Sequence, residues 1–162
     1  MTKRWTMTAA ALLGLAGCAT PSVQRIPFPE SEYAALAKAG TGTVNGQAYL
    51  KSSHGEVQQA AVEKVYLDPV TSYSWQWLMV TYAGGRELAP ADPRLSGYVQ
   101  QTVADADGRF TFQRVPPGEY FVISKIVWQV PTGYGMIPQG GFVVGRVVVR
   151  DGEVADVTVT RP

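Results

Sequence analysis

The sequence predicts an all-β fold, a β-sandwich, in the chain that follows Gly40. Beyond Gly40, apolar and polar residues alternate with the period of two that is typical of half-buried strands. Short groups of Gly, Pro, Asp and Ser separate these runs and are typical of tight turns. A sheet with one apolar face must be covered by a second layer, so about seven such strands predict an antiparallel, seven-stranded sandwich.

Composition and charge exclude several classes of protein. The chain has 162 residues, of which 46% are hydrophobic and 17% charged, and its formal net charge is +1. These values fit one compact domain and do not fit a disordered chain or a coiled coil. Lys and Arg are scattered singly, so we expect no nucleic-acid partner. One Cys and one His cannot form a Cys/His zinc site or a disulfide, and we expect neither metal nor cofactor.

The first eighteen residues form a targeting segment. A start containing Lys3 and Arg4 precedes an apolar stretch over residues 7–15, which is too short to span a bilayer. The sequence Leu15-Ala16-Gly17-Cys18 then resembles the lipobox of bacterial lipoproteins. That resemblance implies cleavage between Gly17 and Cys18 and a lipid on Cys18, which would anchor the protein to a membrane. The alternative is an ordinary signal peptide that happens to be followed by a cysteine.

The chain divides into three parts on this basis. Residues 1–17 are the signal peptide, 18–40 a lipid-anchored tether, and 41–162 the sandwich domain. Prolines between residues 21 and 29 favour an extended spacer, and a short helix beginning at Ser31 is an alternative to an irregular linker. Ala19 replaces the Asp that favours retention at the inner membrane in the enterobacterial lipoproteins. We therefore expect the bacterial cell envelope as the location, on the outer membrane and facing the periplasm.

Strands are predicted in seven runs, which are 43–50, 61–68, 98–104, 109–112, 119–129, 142–150 and 153–160. A turn at residues 105–108, with Gly108 in the left-handed conformation, predicts a hairpin between the third and fourth runs. Asp151-Gly152 predicts a second hairpin between the last two runs. Residues 131–141, rich in Pro and Gly, are predicted as a loop.

Residues 72–85 are open to two interpretations. Trp75, Leu78, Met79 and Tyr82 have the spacing of one helix face, and Gly84 would end such a helix. The same region is rich in Tyr, Trp, Val and Thr, which suit a strand. A short amphipathic helix lying on the sandwich is the preferred interpretation.

One stretch resembles a known family. The sequence from Thr102 to Phe112, followed by Val115-Pro116-Pro117-Gly118-Glu119-Tyr120, looks like the core signature of carboxypeptidase-regulatory-like domains. The resemblance implies a seven-stranded prealbumin-like sandwich, similar also to Cna-B repeats, with Phe110 and Phe112 on its inner face. In carboxypeptidases this domain is not the peptidase, so the resemblance implies no catalytic activity.

Other patterns of catalytic or metal-binding residues are weak. His54 lies in a polar turn, and the chain has no nucleophile motif. Asp105 and Asp107 depart from the calcium-loop template, because Arg109 occupies its third acidic position. The sequence therefore predicts a protein that is not an enzyme.

The insertion at residues 70–97 is longer than the family pattern needs, and its Trp75, Trp77 and Tyr82 are candidates for contact with a ligand or partner. With Tyr98, Trp128 and Tyr134 they would form a binding surface, or they are packing residues. The preferred function is a non-catalytic envelope lipoprotein whose sandwich is a protein-interaction or structural module. The alternative is a glycan-binding or peptidoglycan-binding module that uses the aromatic residues of the insertion.

Overall fold

The computed structural model describes residues 22–52 and 55–161, and two facing sheets dominate it. The predicted all-β sandwich is confirmed. Eight strands lie within the described residues: β1 (Gly42–Lys51), β2 (Val57–Gln59), β3 (Lys64–Pro69), β4 (Gln100–Val103), β5 (Arg109–Val115), β6 (Gly118–Thr132), β7 (Gly135–Val149) and β8 (Val154–Val159). The predicted number was seven, and the short β2 is the strand that the sequence pattern did not reveal.

The first sheet is built around β1. This strand pairs antiparallel with β5, where Val44 lies opposite Phe112, and its last residues pair antiparallel with β2. It also pairs parallel with β8, where Val44 lies opposite Ala155, so one pairing of the sandwich is not antiparallel. The second sheet has the order β4-β3-β6-β7 and is antiparallel throughout.

The core lies between the two sheets and follows the predicted alternation. Val65 and Leu67 of β3 are fully buried, and Phe110 and Phe112 of β5 stack edge to face with their ring centroids 5.8 Å apart. Burial of each large apolar side chain stabilises the fold by about 1.5–3 kcal/mol. The two sheets are therefore held together mainly by this apolar layer.

Helical segments cover part of the second sheet. Helix α1 spans Glu30–Ala34, and α2 spans Ser72–Trp77 and continues as a π-helical turn over Leu78–Ala83. The preferred helical interpretation of residues 72–85 is thus confirmed. The N-cap of α2 is Thr71, whose side chain accepts a hydrogen bond from the backbone N–H of Ser74. A 3-10 turn follows at Pro93–Gly97.

Both predicted hairpins are wrong, although their turns exist. Gly108 has φ of +73° as expected, but β4 pairs with β3 and β5 pairs with β1, so this turn joins the two sheets. The turn at Asp151 also crosses between sheets, because β8 pairs in parallel with β1 and, within the described residues, the chain after the turn pairs with β7 only at an isolated antiparallel bridge between Val144 and Thr160. Alternation determines which face of a strand is buried, but it does not determine the partner strand.

The predicted loop at residues 131–141 is also wrong. β6 and β7 continue through it as one long hairpin whose last pair is Thr132 and Gly135. Pro131 and Pro138 are tolerated because a two-stranded ribbon has free edges, where a missing N–H breaks no ladder hydrogen bond.

The segment predicted as an extended spacer packs on the domain over its described part. Val23 forms a parallel bridge with Leu88, and its N–H donates to the carbonyl oxygen of Glu87 at 2.8 Å. Tyr33 of α1 is completely buried and stacks on Phe28, with 4.5 Å between ring centroids. Residues 22–36 are therefore part of the folded body, because their aromatic rings bury more surface than an irregular linker would.

Some predictions fall outside the described residues. Gly17 and Cys18, the predicted cleavage and lipidation site, belong to this group, and so does His54. Within residues 22–52 and 55–161, no helix has the length and apolar character needed to cross a membrane.

Candidate functional site

The candidate site lies on the face of the second sheet that points away from the core. Because Val65 and Leu67 point inward, their neighbours Tyr66 and Asp68 point to the outer face of β3. Helix α2 lies over this face, and the Trp77 ring meets the Phe142 ring of β7 edge to face at 5.1 Å. The helix and the sheet thus form two walls of a cleft.

The cleft encloses a cavity of about 480 Å³, a volume within the usual range for small-molecule sites. Its third wall is the chain from Ala91 to Val99, which follows α2. The lining is mostly aromatic or apolar, with a few polar groups: Arg25, Tyr66, Asp68, Tyr73, Ser74, Trp77, Ala91, Asp92, Pro93, Leu95, Ser96, Val99, Ile123 and Phe142.

Asp68 is the unusual polar group of this cavity. The residue is only 9% exposed, and its Oδ1 atom is buried and has no hydrogen-bond partner among the described residues. Burial raises the pKa of the Asp68 carboxyl from 3.8 to about 7, and the positive charge of Arg25 offsets only part of this effect. A buried carboxyl oxygen without a partner costs free energy, so the wall of the cavity contains an unsatisfied acceptor.

Arg25 comes from the N-terminal segment and is held by two contacts. Its Nε donates to the carbonyl oxygen of Ala89 at 2.6 Å, and its guanidinium carbon lies 4.9 Å from the centroid of the Tyr73 ring. These contacts place a fixed positive charge in the lining of the cavity, beside Asp68. The other N–H groups of the guanidinium are donors that suit the oxygen atoms of a polar ligand.

The second carboxylate of the lining, Asp92, is already engaged. Its Oδ1 accepts hydrogen bonds from the backbone N–H and Nε of Arg94, and its Oδ2 accepts from Nη2 at 2.8 Å. The side-chain hydrogen bond from Arg94 lowers the pKa of Asp92 to about 2. Asp92 therefore acts as a helix cap and an ion-pair partner at the cavity, whereas Oδ1 of Asp68 has no hydrogen-bond partner among the described residues.

A cluster of aromatic rings positions the walls. The ring centroids of Phe28 and Tyr73 are 5.6 Å apart, and those of Tyr33 and Tyr98 are 4.6 Å apart. Tyr73 also accepts a hydrogen bond at its hydroxyl from the Asp92 backbone N–H at 2.8 Å. The cluster joins the N-terminal segment, α2 and the third wall through direct contacts between aromatic rings.

The three residues singled out in the insertion separate in the structure. Trp77 lines the cavity. Trp75 is not part of the lining. Its ring packs edge to face on the Phe121 ring, with 5.2 Å between centroids, and the guanidinium carbon of Arg146 lies 5.6 Å from the centroid of the Trp75 ring. Tyr82 is partly buried in the π-helical turn and is not part of the lining.

The other aromatic candidates also separate. Tyr98 belongs to the packed aromatic cluster, and Trp128 packs against the edge of the core. Tyr134 is fully exposed at the tip of the β6–β7 hairpin. These residues do not form one surface with Trp77.

The sequence analysis did not select five residues that line the site: Asp68, Arg25, Tyr66, Tyr73 and Phe142. Two of them had a readable signal, since Tyr66 and Asp68 occupy the alternate face of a strand that is followed directly by a helix. Arg25 and Phe142 had none, because they lie far apart along the chain and meet α2 only after folding.

Comparison with solved structures finds a protein of similar fold and sequence. A crystal structure of a proposed carbohydrate binding protein from Pseudomonas aeruginosa superposes with a TM-score of 0.76 and 33% sequence identity, covering 85% of this chain and 99% of that chain. No family model and no curated protein sequence matches the chain.

Proposed function

This chain belongs to the same family as the Pseudomonas aeruginosa protein, and on that premise we propose that it is a non-catalytic carbohydrate-binding module. The proposed binding site is the cavity between α2 and the second sheet. The proposed function is thus the glycan-binding alternative of the sequence analysis, not the preferred protein-interaction module. The proposed site differs from the expected one, because it lies in the cleft beneath the insertion and not on the exposed face of the insertion.

The single observation that carries the proposal is the combination of Asp68 with aromatic walls. Sugars offer hydroxyl groups around their rim and C–H groups on their flat faces. An unpartnered carboxyl oxygen accepts a hydrogen bond from a hydroxyl, and this bond is stronger when the carboxyl is ionised. The negative face of an aromatic ring such as Trp77 favours contact with the weakly positive C–H groups.

Hydrolysis is not part of the proposal. Most glycosidases use two carboxyl groups in the site, one as acid and the other as base or nucleophile. Asp68 is free, but both oxygens of Asp92 are bound by Arg94. We therefore expect the site to bind a sugar without cleaving it.

The lipid anchor and the envelope location belong to the same proposal. The lipobox resemblance at Cys18 supports attachment to a bacterial membrane, where cell-wall and surface glycans are the nearest carbohydrates. A protein partner stays a prediction.

The test is a titration of the protein with sugars, followed by its tryptophan fluorescence and by calorimetry. The probes are soluble peptidoglycan fragments and neutral oligosaccharides of glucose, galactose and N-acetylglucosamine. We expect saturable binding to one class, about tenfold weaker for Asp68→Asn because the charge-assisted hydrogen bond is lost. Absence of binding to every probe, or equal affinity of wild type and Asp68→Asn, would contradict the proposed site.

A further inference from the structure

The β6–β7 hairpin extends beyond the sandwich as a two-stranded ribbon. Its register is unbroken from the pair Lys125 and Phe142 to the pair Thr132 and Gly135, and residues 131–140 are all exposed. The pairing of β6 with β3 ends at Ser124. We propose that this ribbon, residues 126–141, inserts its tip into a lipid surface.

Neither face of the ribbon is strongly polar, because each carries a single glutamine, Gln129 on one face and Gln139 on the other. The chain from Ile126 to Gly145 contains no charged residue. One face presents Val127 and the pair Pro131 and Met136, and the other presents the pair Val130 and Ile137. A ribbon in water is normally polar on at least one face, and a protein groove would cover only one face. Apolar residues on both faces fit a medium that surrounds the tip, as lipid does.

The tip satisfies some of its own polar groups. Within the described residues, the outer edges of the ribbon keep unpaired backbone groups, so the proposed depth of insertion is the interfacial region and not the hydrocarbon core. The hydroxyl of Thr132 donates to the carbonyl oxygen of Gly135 at 2.7 Å and accepts from the N–H of Tyr134 at 3.3 Å. Pro131 and Pro138 have no N–H to leave unpaired. Fewer free donors lower the cost of entering a region with little water. Tyr134 is fully exposed, and tyrosine is enriched where proteins meet the membrane interface.

Positive charges surround the base of the ribbon. The Nζ atom of Lys125 lies 5.5 Å from the centroid of the Phe142 ring, and Nη2 of Arg161 donates to the carbonyl oxygen of Phe142 at 2.9 Å. Lys51 and Arg161 line one hollow together with Trp128. With the tip in a bilayer, cations at the base would lie near the lipid phosphates, where each contributes about 1 kcal/mol on an anionic surface.

The direction of α2 shows where the start of the described chain lies with respect to this ribbon. Trp75 meets Phe121, and Trp77 meets Phe142 at the base of the ribbon, so the helix runs toward the ribbon. The N-terminal segment runs the opposite way, since Glu32 accepts a hydrogen bond from the N–H of Ser72 at the start of the helix.

The described chain therefore begins at the end of the domain that carries the ribbon, where Val23 pairs with Leu88 beyond the helix. If Cys18 carries a lipid, the four peptide units to Ser22 reach at most about 14 Å. Such a short connection would hold the ribbon toward the same membrane. This last step rests on the proposed lipid anchor, whereas the composition and geometry of the ribbon do not.

The test places a polarity-sensitive fluorophore on Tyr134→Cys in the full-length lipoprotein, reconstituted into vesicles of phosphatidylethanolamine and phosphatidylglycerol. The matched control is Val103→Cys on β4, a site that is 52% exposed and outside the ribbon. We expect a blue shift and quenching by lipid-borne quenchers for the label at 134, with neither change at 103. The double variant Met136→Gln/Ile137→Gln should abolish both changes, and circular dichroism verifies that it folds.

Flotation with the vesicles measures the anchor, whereas the label measures the ribbon. The same labels in the Cys18→Ser chain, with vesicles in excess, test the ribbon without acylation. A shift at 134 in either form that Met136→Gln/Ile137→Gln removes supports the inference, even if the anchor fails. A label at 134 that remains in water in both forms overturns it, and leaves the carbohydrate site and the anchor unaffected.

Discussion

The guanidinium of Arg25 lies beside the buried carboxyl of Asp68, but its Nε is directed to the carbonyl oxygen of Ala89, 2.6 Å away. Burial therefore dominates the pKa of Asp68, which rises to about 7, and the nearby positive charge only moderates this rise. The wall of the cavity thus contains an acceptor whose partner is not supplied by the described residues.

The stability of the protein should depend on the protonation of Asp68. Its pKa is 3.8 in the unfolded chain and about 7 in the folded protein, so the folded state binds the proton more tightly. Its contribution to stability is then largest below about pH 4, falls by on the order of 4 kcal/mol as the pH rises to about 7, and is constant above it. Urea denaturation of wild type and Asp68→Asn at pH 5 and pH 8 measures this.

We expect the unfolding free energy of Asp68→Asn, measured relative to that of wild type, to be larger at pH 8 than at pH 5. The comparison with the isosteric variant removes the effect of the carboxyls whose pKa is lowered, such as Asp92 and Asp151. An equal difference at both pH values would show that Asp68 does not titrate in this range.

Trp77 and Trp75 should differ in their effect on sugar binding. Trp77→Leu keeps apolar bulk but loses the flat ring in the cavity, and we expect affinity to fall about tenfold. Trp75→Leu is the matched control, because this ring lies on Phe121 outside the cavity. Calorimetry with the tightest sugar measures both. Equal losses for the two variants would argue against the cavity as the binding site.

Gly108 should tolerate no side chain. Its φ is +73°, and a Cβ atom would lie 2.4 Å from the carbonyl oxygen of Ala48. Gly108→Ala therefore combines left-handed strain with a backbone clash and should destabilise the protein by roughly 2–4 kcal/mol. Gly55→Ala is the control, because its φ is +83° in open space and only the strain applies. In thermal denaturation, the Tm of Gly108→Ala should be well below that of Gly55→Ala.

Tyr33 should be as important as a core residue, although it lies in the segment predicted as a tether, residues 18–40. The ring is completely buried, and its hydroxyl accepts a hydrogen bond from the Thr71 hydroxyl at 3.2 Å. Tyr33→Ala should cost about 3–5 kcal/mol of unfolding free energy. Lys38→Ala, an exposed change in the same segment, should cost almost nothing. Chemical denaturation distinguishes the two, and no loss for Tyr33→Ala would mean that the segment is a free spacer after all.

Cys18 should control membrane attachment without affecting the fold. Cys18→Ala removes the predicted lipidation site, and we expect the folded protein to leave the membrane fraction of the cell. Fractionation and immunoblotting measure this. Full retention of the variant in the membrane fraction would contradict the lipobox interpretation.

The sequence by itself determined the strand faces and the helix. Val65, Leu67, Phe110 and Phe112 are buried as their alternation predicts, and residues 72–83 are helical as their spacing predicts. These features depend on local periodicity and on the conformational preferences of single residues, which a sequence displays directly. The position of Gly108 in a turn with positive φ could be predicted for the same reason.

The strand partners and the candidate site were decided only by the tertiary structure. β8 joins β1 instead of β7, and the ribbon at residues 126–141 extends through Pro131 and Pro138. Arg25, Asp68, Trp77 and Phe142 meet around one cavity although 117 positions separate the first from the last. Such contacts depend on which apolar faces find each other in three dimensions, and the pattern within any one segment carries no information about that choice.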